Sequence, residues 1–114
     1  WNFKVSQSQA VGLLSAFRTV NYFHFSSCIL NISSVPDFKD SMQDSNIKTL
    51  SFNKSGDKSH GNWGEGSSAF SNLMKGLSKV TAVEKSLEKV WVVDCGMEKA
   101  KVRKFLDDCG LRHV

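Results

Sequence analysis

The chain has 114 residues, a length that fits one domain, and its 40% hydrophobic and 23% charged residues supply enough apolar material for a core. No apolar run approaches the ~20 residues that a membrane-spanning helix needs. The net charge is +4, but the lysines between Lys39 and Lys104 are interleaved with Asp and Glu, which argues for a solvated surface rather than the single basic stripe of most nucleic-acid binders.

From the N-terminus, the first periodic segment is Ala10, Leu13, Leu14 and Phe17, spaced as one face of an amphipathic helix, with Ser6-x-x-Gln9 before it as a capping box. Val20-Asn-Tyr-Phe23-His-Phe25-Ser-Ser-Cys28-Ile-Leu30 then alternates with the period of a strand. Val35, Phe38 and Met42 are the apolar marks of the next region, and Pro36 starts it, which predicts a short helix there. A second alternating segment runs Ile47-Lys-Thr-Leu50-Ser-Phe52-Asn-Lys-Ser55-Gly-Asp57. Residues 54–68, KSGDKSHGNWGEGSS, read as a loop rich in Gly, Ser and charge. Trp63 within it is either an anchor that packs the loop onto the body or a partner contact. Phe70, Leu73, Met74 and Leu77 predict a second amphipathic helix. Leu87-Glu-Lys-Val90-Trp-Val92-Val-Asp-Cys95-Gly-Met97 is the third alternating segment. Val102, Phe105, Leu106 and Cys109 mark a last helix, with Gly110 as a left-handed cap and Leu111 able to pack back on its final turn.

The three alternating segments align without gaps. Each has large apolar residues at positions one, four and six, and Cys or Ser at position nine. This arrangement resembles the leucine-rich-repeat pattern L-x-x-L-x-L-x-x-N/C-x-L. Val20 and Ile47 are 27 residues apart, Leu87 and Val114 are 27 apart, and Ile47 and Leu87 are 40 apart, the surplus falling in the 54–68 loop. With a helix between strands, the period resembles the ribonuclease-inhibitor-like class of these repeats. The resemblance implies an α/β fold, a leucine-rich-repeat solenoid with a short parallel sheet on the concave side and helices on the convex side. It divides the chain into 1–19 (the end of a truncated repeat), 20–46, 47–86 with its insertion near 54–68, and a C-terminal repeat at 87–114, all one segment spanning 1–114. It also implies protein binding through the concave face. In such a register the first strand's edge is left open, so further chain before residue 1 or a partner is expected on that edge. The absence of an initiator Met fits a trimmed chain, and no charged-then-apolar leader opens it.

No catalytic constellation is legible. His24, His60 and His113 have no paired ligand at metal spacing, so no metal or cofactor is expected. Gly61-Asn-Trp-Gly64-Glu-Gly66 lacks the Gly-Lys-Ser/Thr that makes a phosphate loop. Asp94, Asp107 and Asp108 have no matching partner, and no nucleophile–base pair is found. Three widely spaced cysteines (Cys28, Cys95, Cys109) are odd in number and read as reduced, intracellular thiols. Cys28 and Cys95 are expected to be structural at position nine, and Cys109 to lie in the core. The Asn31-Ile32-Ser33 and Asn53-Lys54-Ser55 sequons bear only on a secreted protein.

The register also names a candidate surface. Strands stack ~4.8 Å apart, so equal positions form rows. Tyr22, Thr49 and Lys89 form one row, His24, Ser51 and Trp91 the next, and Ser26, Asn53 and Val93 a third. Tyr22, His24, Thr49, Ser51, Lys89, Trp91 and Val93 are the expected protein-binding residues, since Trp and Tyr are frequent hot spots. The expected function is a non-enzymatic protein-interaction module, part of a larger protein or assembly, that binds another protein or neighbouring subunits inside the cell, with no membrane partner. The alternative is a basic component contacting nucleic acid or a ribonucleoprotein through Lys48, Lys54, Lys58, Lys89 and the Lys/Arg group at 99–104. A small α/β enzyme would need a polar pocket at the strand ends, and its residues are not found.

Overall fold

The computed structural model describes residues 3–38, 41–56, 63 and 69–111. In chain order the elements are β1 (Phe3–Ser6), α1 (Gln7–Ala16), β2 (Tyr22–Ser26), β3 (Cys28–Asn31), β4 (Thr49–Asn53), α2 (Ala69–Ser78), α3 (Thr81–Ser86), β5 (Lys89–Val93) and α4 (Lys99–Asp108). The strands form two separate parallel sheets: β1 with β3, and β2-β4-β5 with β4 in the middle.

Local chemistry explains most of these boundaries. Ser6 caps α1: its hydroxyl accepts from the Gln9 N–H at 3.2 Å, and the Gln9 side chain accepts from the Ser6 N–H at 2.9 Å. Two of the helix's orphan donors are thereby satisfied. Gly110 ends α4 with φ +89°, and the Leu111 N–H returns to the Leu106 carbonyl at 2.8 Å while its side chain is buried. Alternation sets the larger sheet. Phe25, Leu50 and Phe52 are buried on one side, with Phe23, Val90 and Val92 half-buried beside them. They join Phe70, Leu73, Met74 and Leu77 of α2 and Val102 and Leu106 of α4 in one core cluster. Trp63 is buried in the same cluster. Its backbone N–H donates to the Cys95 carbonyl at 2.8 Å, and its ring meets Phe52 and Phe70 edge-on, so Trp63 itself is anchored to the body.

The three aligned segments pair in parallel in the aligned register, Tyr22↔Thr49↔Lys89 through Ser26↔Asn53↔Val93. The turns after them match as well. Ser27, Lys54 and Asp94 all have positive φ, at 55°, 51° and 51°. This left-handed conformation costs a side-chain-bearing residue ~1–2 kcal/mol. A ladder of hydrogen bonds offsets that cost. The Cys28 N–H donates to Ser55 Oγ at 3.0 Å, and the Ser55 N–H donates to Cys95 Sγ at 3.4 Å. Each of the three side chains also donates to the carbonyl two residues back, in Ser26, Asn53 and Val93.

The leucine-rich-repeat solenoid expected from the sequence is overturned. The molecule is a small compact α/β body of 33 × 27 × 23 Å with, among the described residues, two small parallel sheets and four helices, not a curved stack with one concave sheet. The cause lies between the aligned strands, where the chain does three different things. After β2 it turns at once into β3, which leaves the larger sheet and pairs with β1. The helix expected after Pro36 does not form among the described residues; bends and turns carry Phe38 and Met42 into the core instead. The return from β4 to β5 uses two helices, α2 and α3. The α1 face is also narrower than its periodicity suggests. Ala10 and Leu14 are buried, whereas Leu13 and Phe17 are 40% and 49% exposed. α1 contacts the small sheet, β1 and β3, and that contact uses only one edge of its apolar stripe.

Two substitutions test this architecture. Ser55→Ala strands the part-buried Cys28 N–H without its acceptor and is expected to lower the urea-unfolding free energy by ~1–2 kcal/mol, whereas Ser55→Cys, which keeps a donor and acceptor at that position, loses less. Gly76→Ala sets two effects against each other. Alanine gains ~1 kcal/mol of helix propensity, but its Cβ would meet the Pro36 carbonyl oxygen at 2.6 Å. A backbone atom does not yield cheaply, and overpacking costs ~1–3 kcal/mol. Chemical denaturation should therefore show Gly76→Ala to be destabilising, and a stabilised variant would refute the close approach.

Candidate functional site

The face of β2-β4-β5 opposite the core carries Tyr22, His24 and Ser26 from β2, Thr49, Ser51 and Asn53 from β4, and Lys89, Trp91 and Val93 from β5. All seven residues expected from the sequence lie on this face, but their exposures differ. Tyr22 is 56% exposed, Trp91 51% and Val93 45%. Ser51, between His24 and Trp91 in register, is only 4% exposed. The face is thus a shallow saddle, with short polar side chains along β4 and larger groups on either side.

Both sides are internally packed. Tyr22 and His24 stack with ring centroids 6.1 Å apart and planes 23° apart. On the other side, the Lys89 ammonium lies 5.8 Å from the centroid of the Trp91 ring, within reach of a cation–π attraction. Two-residue spacing along a strand explains both pairs, since Tyr22 and His24, like Lys89 and Trp91, project from the same side. At the end of β4, Asn53 Oδ1 is buried with no hydrogen-bond partner among the described residues.

Among the described residues no group of His, Cys, Asp or Glu is placed to hold a metal ion. His24 has Tyr22 as its ring neighbour and no carboxylate or thiol on its face positions. His60, His113, Lys58 and the glycine-rich 61–66 stretch, Trp63 apart, lie outside the described residues. Surface depressions elsewhere are lined by Ser15, Ala16, Arg18, Ser41, Gln43 and Asp44, and by Val35, Pro36, Asp37, Phe38, Gly76 and Lys79. In the first, Arg18 Nε is already bonded to Asp44 at 2.7 Å. No helix is long and apolar enough to cross a membrane among the described residues.

The sequence does not reveal a second exposed apolar strip, Leu13, Phe17 and Val20. Its spacing reads as a core face, and only the docking of α1 on the small sheet shows otherwise. Phe17 still touches Phe23, at 6.0 Å between centroids.

All three cysteines are free. Burial pushes the Cys28, Cys95 and Cys109 thiols above their ordinary range, so they favour the protonated form. Cys95 is deeply placed and bonded into the turn ladder, as a structural thiol should be. The pH consequence has a definite sign. A raised folded value means that the folded state holds protons more tightly than the unfolded chain. The associated stability is full below the unfolded thiol value of about 8.5 and is lost as pH rises through the higher folded values. Urea midpoints are therefore expected to be flat up to about pH 8.5 and to fall above it, less so in Cys95→Ala than in the parent relative to neutral pH. A Cys95→Ala profile as steep as the parent's would contradict this assignment. Compared with known protein families, curated proteins and solved structures, the chain matches none.

Proposed function

We propose that this chain is a protein-interaction module and that the open face of β2-β4-β5 is its docking surface. One observation carries the reading: the sheet is backed by a core through Phe25, Leu50 and Phe52, yet its other side leaves Tyr22 and Trp91 more than half exposed, at 56% and 51%. Covering half-exposed rings of this size is worth ~1–2 kcal/mol each from apolar area alone. Both rings are held against a neighbour, so little side-chain freedom remains to be lost on binding. The partner is another protein or a neighbouring subunit of a larger assembly. The three free thiols support a reducing compartment inside the cell. No enzymatic activity is proposed.

The partner is to be sought by photo-crosslinking in cells from benzoylphenylalanine placed at position 91, with the same group at Lys101, an exposed position on α4, as control. Adduct formation at 91 and not at 101 is the expected result. For the partner so found, Trp91→Ala should weaken affinity by ~2 kcal/mol, about thirtyfold, as for a hot-spot residue. Its unfolding midpoint should stay close to that of the parent. Unchanged affinity removes Trp91 from the interface, and loss of folding assigns it to the core.

A further inference from the structure

Building on the open face as a protein-docking surface, we infer that it selects an extended, carboxylate-bearing segment of its partner. The two sides of the saddle stand on β2 and β5, two strand spacings or ~10 Å apart. An α-helix with its side chains is ~10–12 Å across, too wide to settle between them onto β4. A single extended chain fits that width. Laid over the nearly closed Ser51, its side chains would meet Thr49 below and the rings of Tyr22, His24 and Trp91 at the sides.

The charges give the chemistry. The nine face positions include Lys89 and His24 and no carboxylate. Lys48 precedes β4 and Lys54 follows it, so lysines mark both ends of the central strand; Glu88 and Asp94 are set at the ends of the outer strand β5. Lys48, Lys54 and Lys89 are exposed and make no ion pair among the described residues. Arg18 and Arg103 differ: they are bonded to Asp44 and Asp107 at 2.7 and 2.8 Å. Lys48 and Lys89 are also close in space, because the Lys48 carbonyl accepts from the Glu88 and Lys89 N–H groups at 2.7 and 3.0 Å. A carboxylate laid on these rows therefore meets the Lys89 ammonium, which rests on the Trp91 ring and is neutralised by no acid among the described residues, whereas a partner's cation meets no countercharge within the rows.

A single-stranded nucleic acid would also satisfy the lysines, but its affinity relies on bases stacking on free ring faces. Here one face of Tyr22 is taken by His24, and Lys89 lies over Trp91. The saddle is better suited to side chains inserted between its walls than to bases laid flat on them.

The test uses the intact chain and three labelled probes read by fluorescence anisotropy: a random Glu–Tyr copolymer, a Lys–Tyr copolymer and an oligouridylate. Saturable binding of the Glu–Tyr copolymer is expected, with the Lys–Tyr copolymer much weaker. Lys89→Glu should weaken it roughly tenfold or more by placing like charges together, and Lys89→Gln should lose less. Lys101→Glu, which changes net charge equally but lies on α4, should leave binding near the parent level. Equal binding of both copolymers, or equal losses in Lys89→Glu and Lys101→Glu, overturns the inference. So does tighter binding of the oligouridylate with a steep salt dependence, which would assign the face to nucleic acid. If no acidic probe binds but position 91 still crosslinks to a protein, carboxylate selection fails and the docking surface stands. Failure of crosslinking at 91 instead removes the surface itself.

Discussion

Phe52 is the side chain on which the rest of the structure converges. It lies on the middle strand of the larger sheet and is fully buried. Its ring is parallel to that of Phe25 on β2, 5.3 Å away and tilted by only 6°. It also meets Trp63 and Phe70 edge-on at 5.9 and 6.0 Å. Phe70 passes the contact to Phe105 on α4, and Phe25 passes it to Phe23 and Phe17. One continuous run of rings therefore ties the sheet to α2, to α4, to the Trp63 segment and to the end of α1. Aromatic pairs in these geometries add ~0.5–1.5 kcal/mol each beyond the area they bury. For a chain of this size, whose whole stability is of the order of ~10 kcal/mol, such a cluster is a large share of what holds the elements together.

The turns that follow β2, β4 and β5 are the second constraint, and they depend on the first. Three residues with side chains are held at positive φ, one after each strand. They can line up only because the strands share a register, and the shared register follows from the alternation that buries Phe25, Leu50 and Phe52 together. The hydrogen-bond ladder through Ser55 and Cys95 then closes the ends of the strands. A register slip by one residue would break this ladder and turn the buried face outward.

What the sequence made legible was local. The period of two placed β2, β4 and β5 and their register, because a strand's side chains must alternate whatever the chain does elsewhere. The Ser6–Gln9 capping box and the Gly110–Leu111 stop are short-range devices too, and both are present. The solenoid was an inference about the segments between strands, and these carry no comparable code. Nothing in Cys28-Ile29-Leu30-Asn31 announces that this stretch pairs with Phe3–Ser6 rather than continuing its own repeat. Likewise Phe38 and Met42 supply apolar side chains to the core without helical geometry, while Val35 stays 37% exposed, because burial asks only that a side chain reach the interior. Leu13 and Phe17 failed in the opposite sense: their spacing promised a covered face, but the partner surface that α1 found was too narrow to cover it.

The candidate surface was legible for the same reason as the strands. Once the register of the buried face is fixed, the opposite face is fixed with it, so Tyr22, His24, Lys89 and Trp91 had to emerge together. Its relief was not legible. The order of the strands, with β4 in the middle, was expected from the aligned segments; that Ser51 is nearly closed off while Tyr22 and Trp91 stand free depends on how the flanking side chains pack over it, which is a tertiary fact. The order also determines which side chains share a wall. Had β5 lain beside β2, Trp91 would stand next to His24 with no polar floor between them, and the face would be a ridge of rings rather than a saddle. The chemistry of this face therefore depends on a placement made by the core behind it. Substitutions at Phe52 or Phe25 should disturb binding through the sheet's order, while substitutions at Trp91 act on the surface alone.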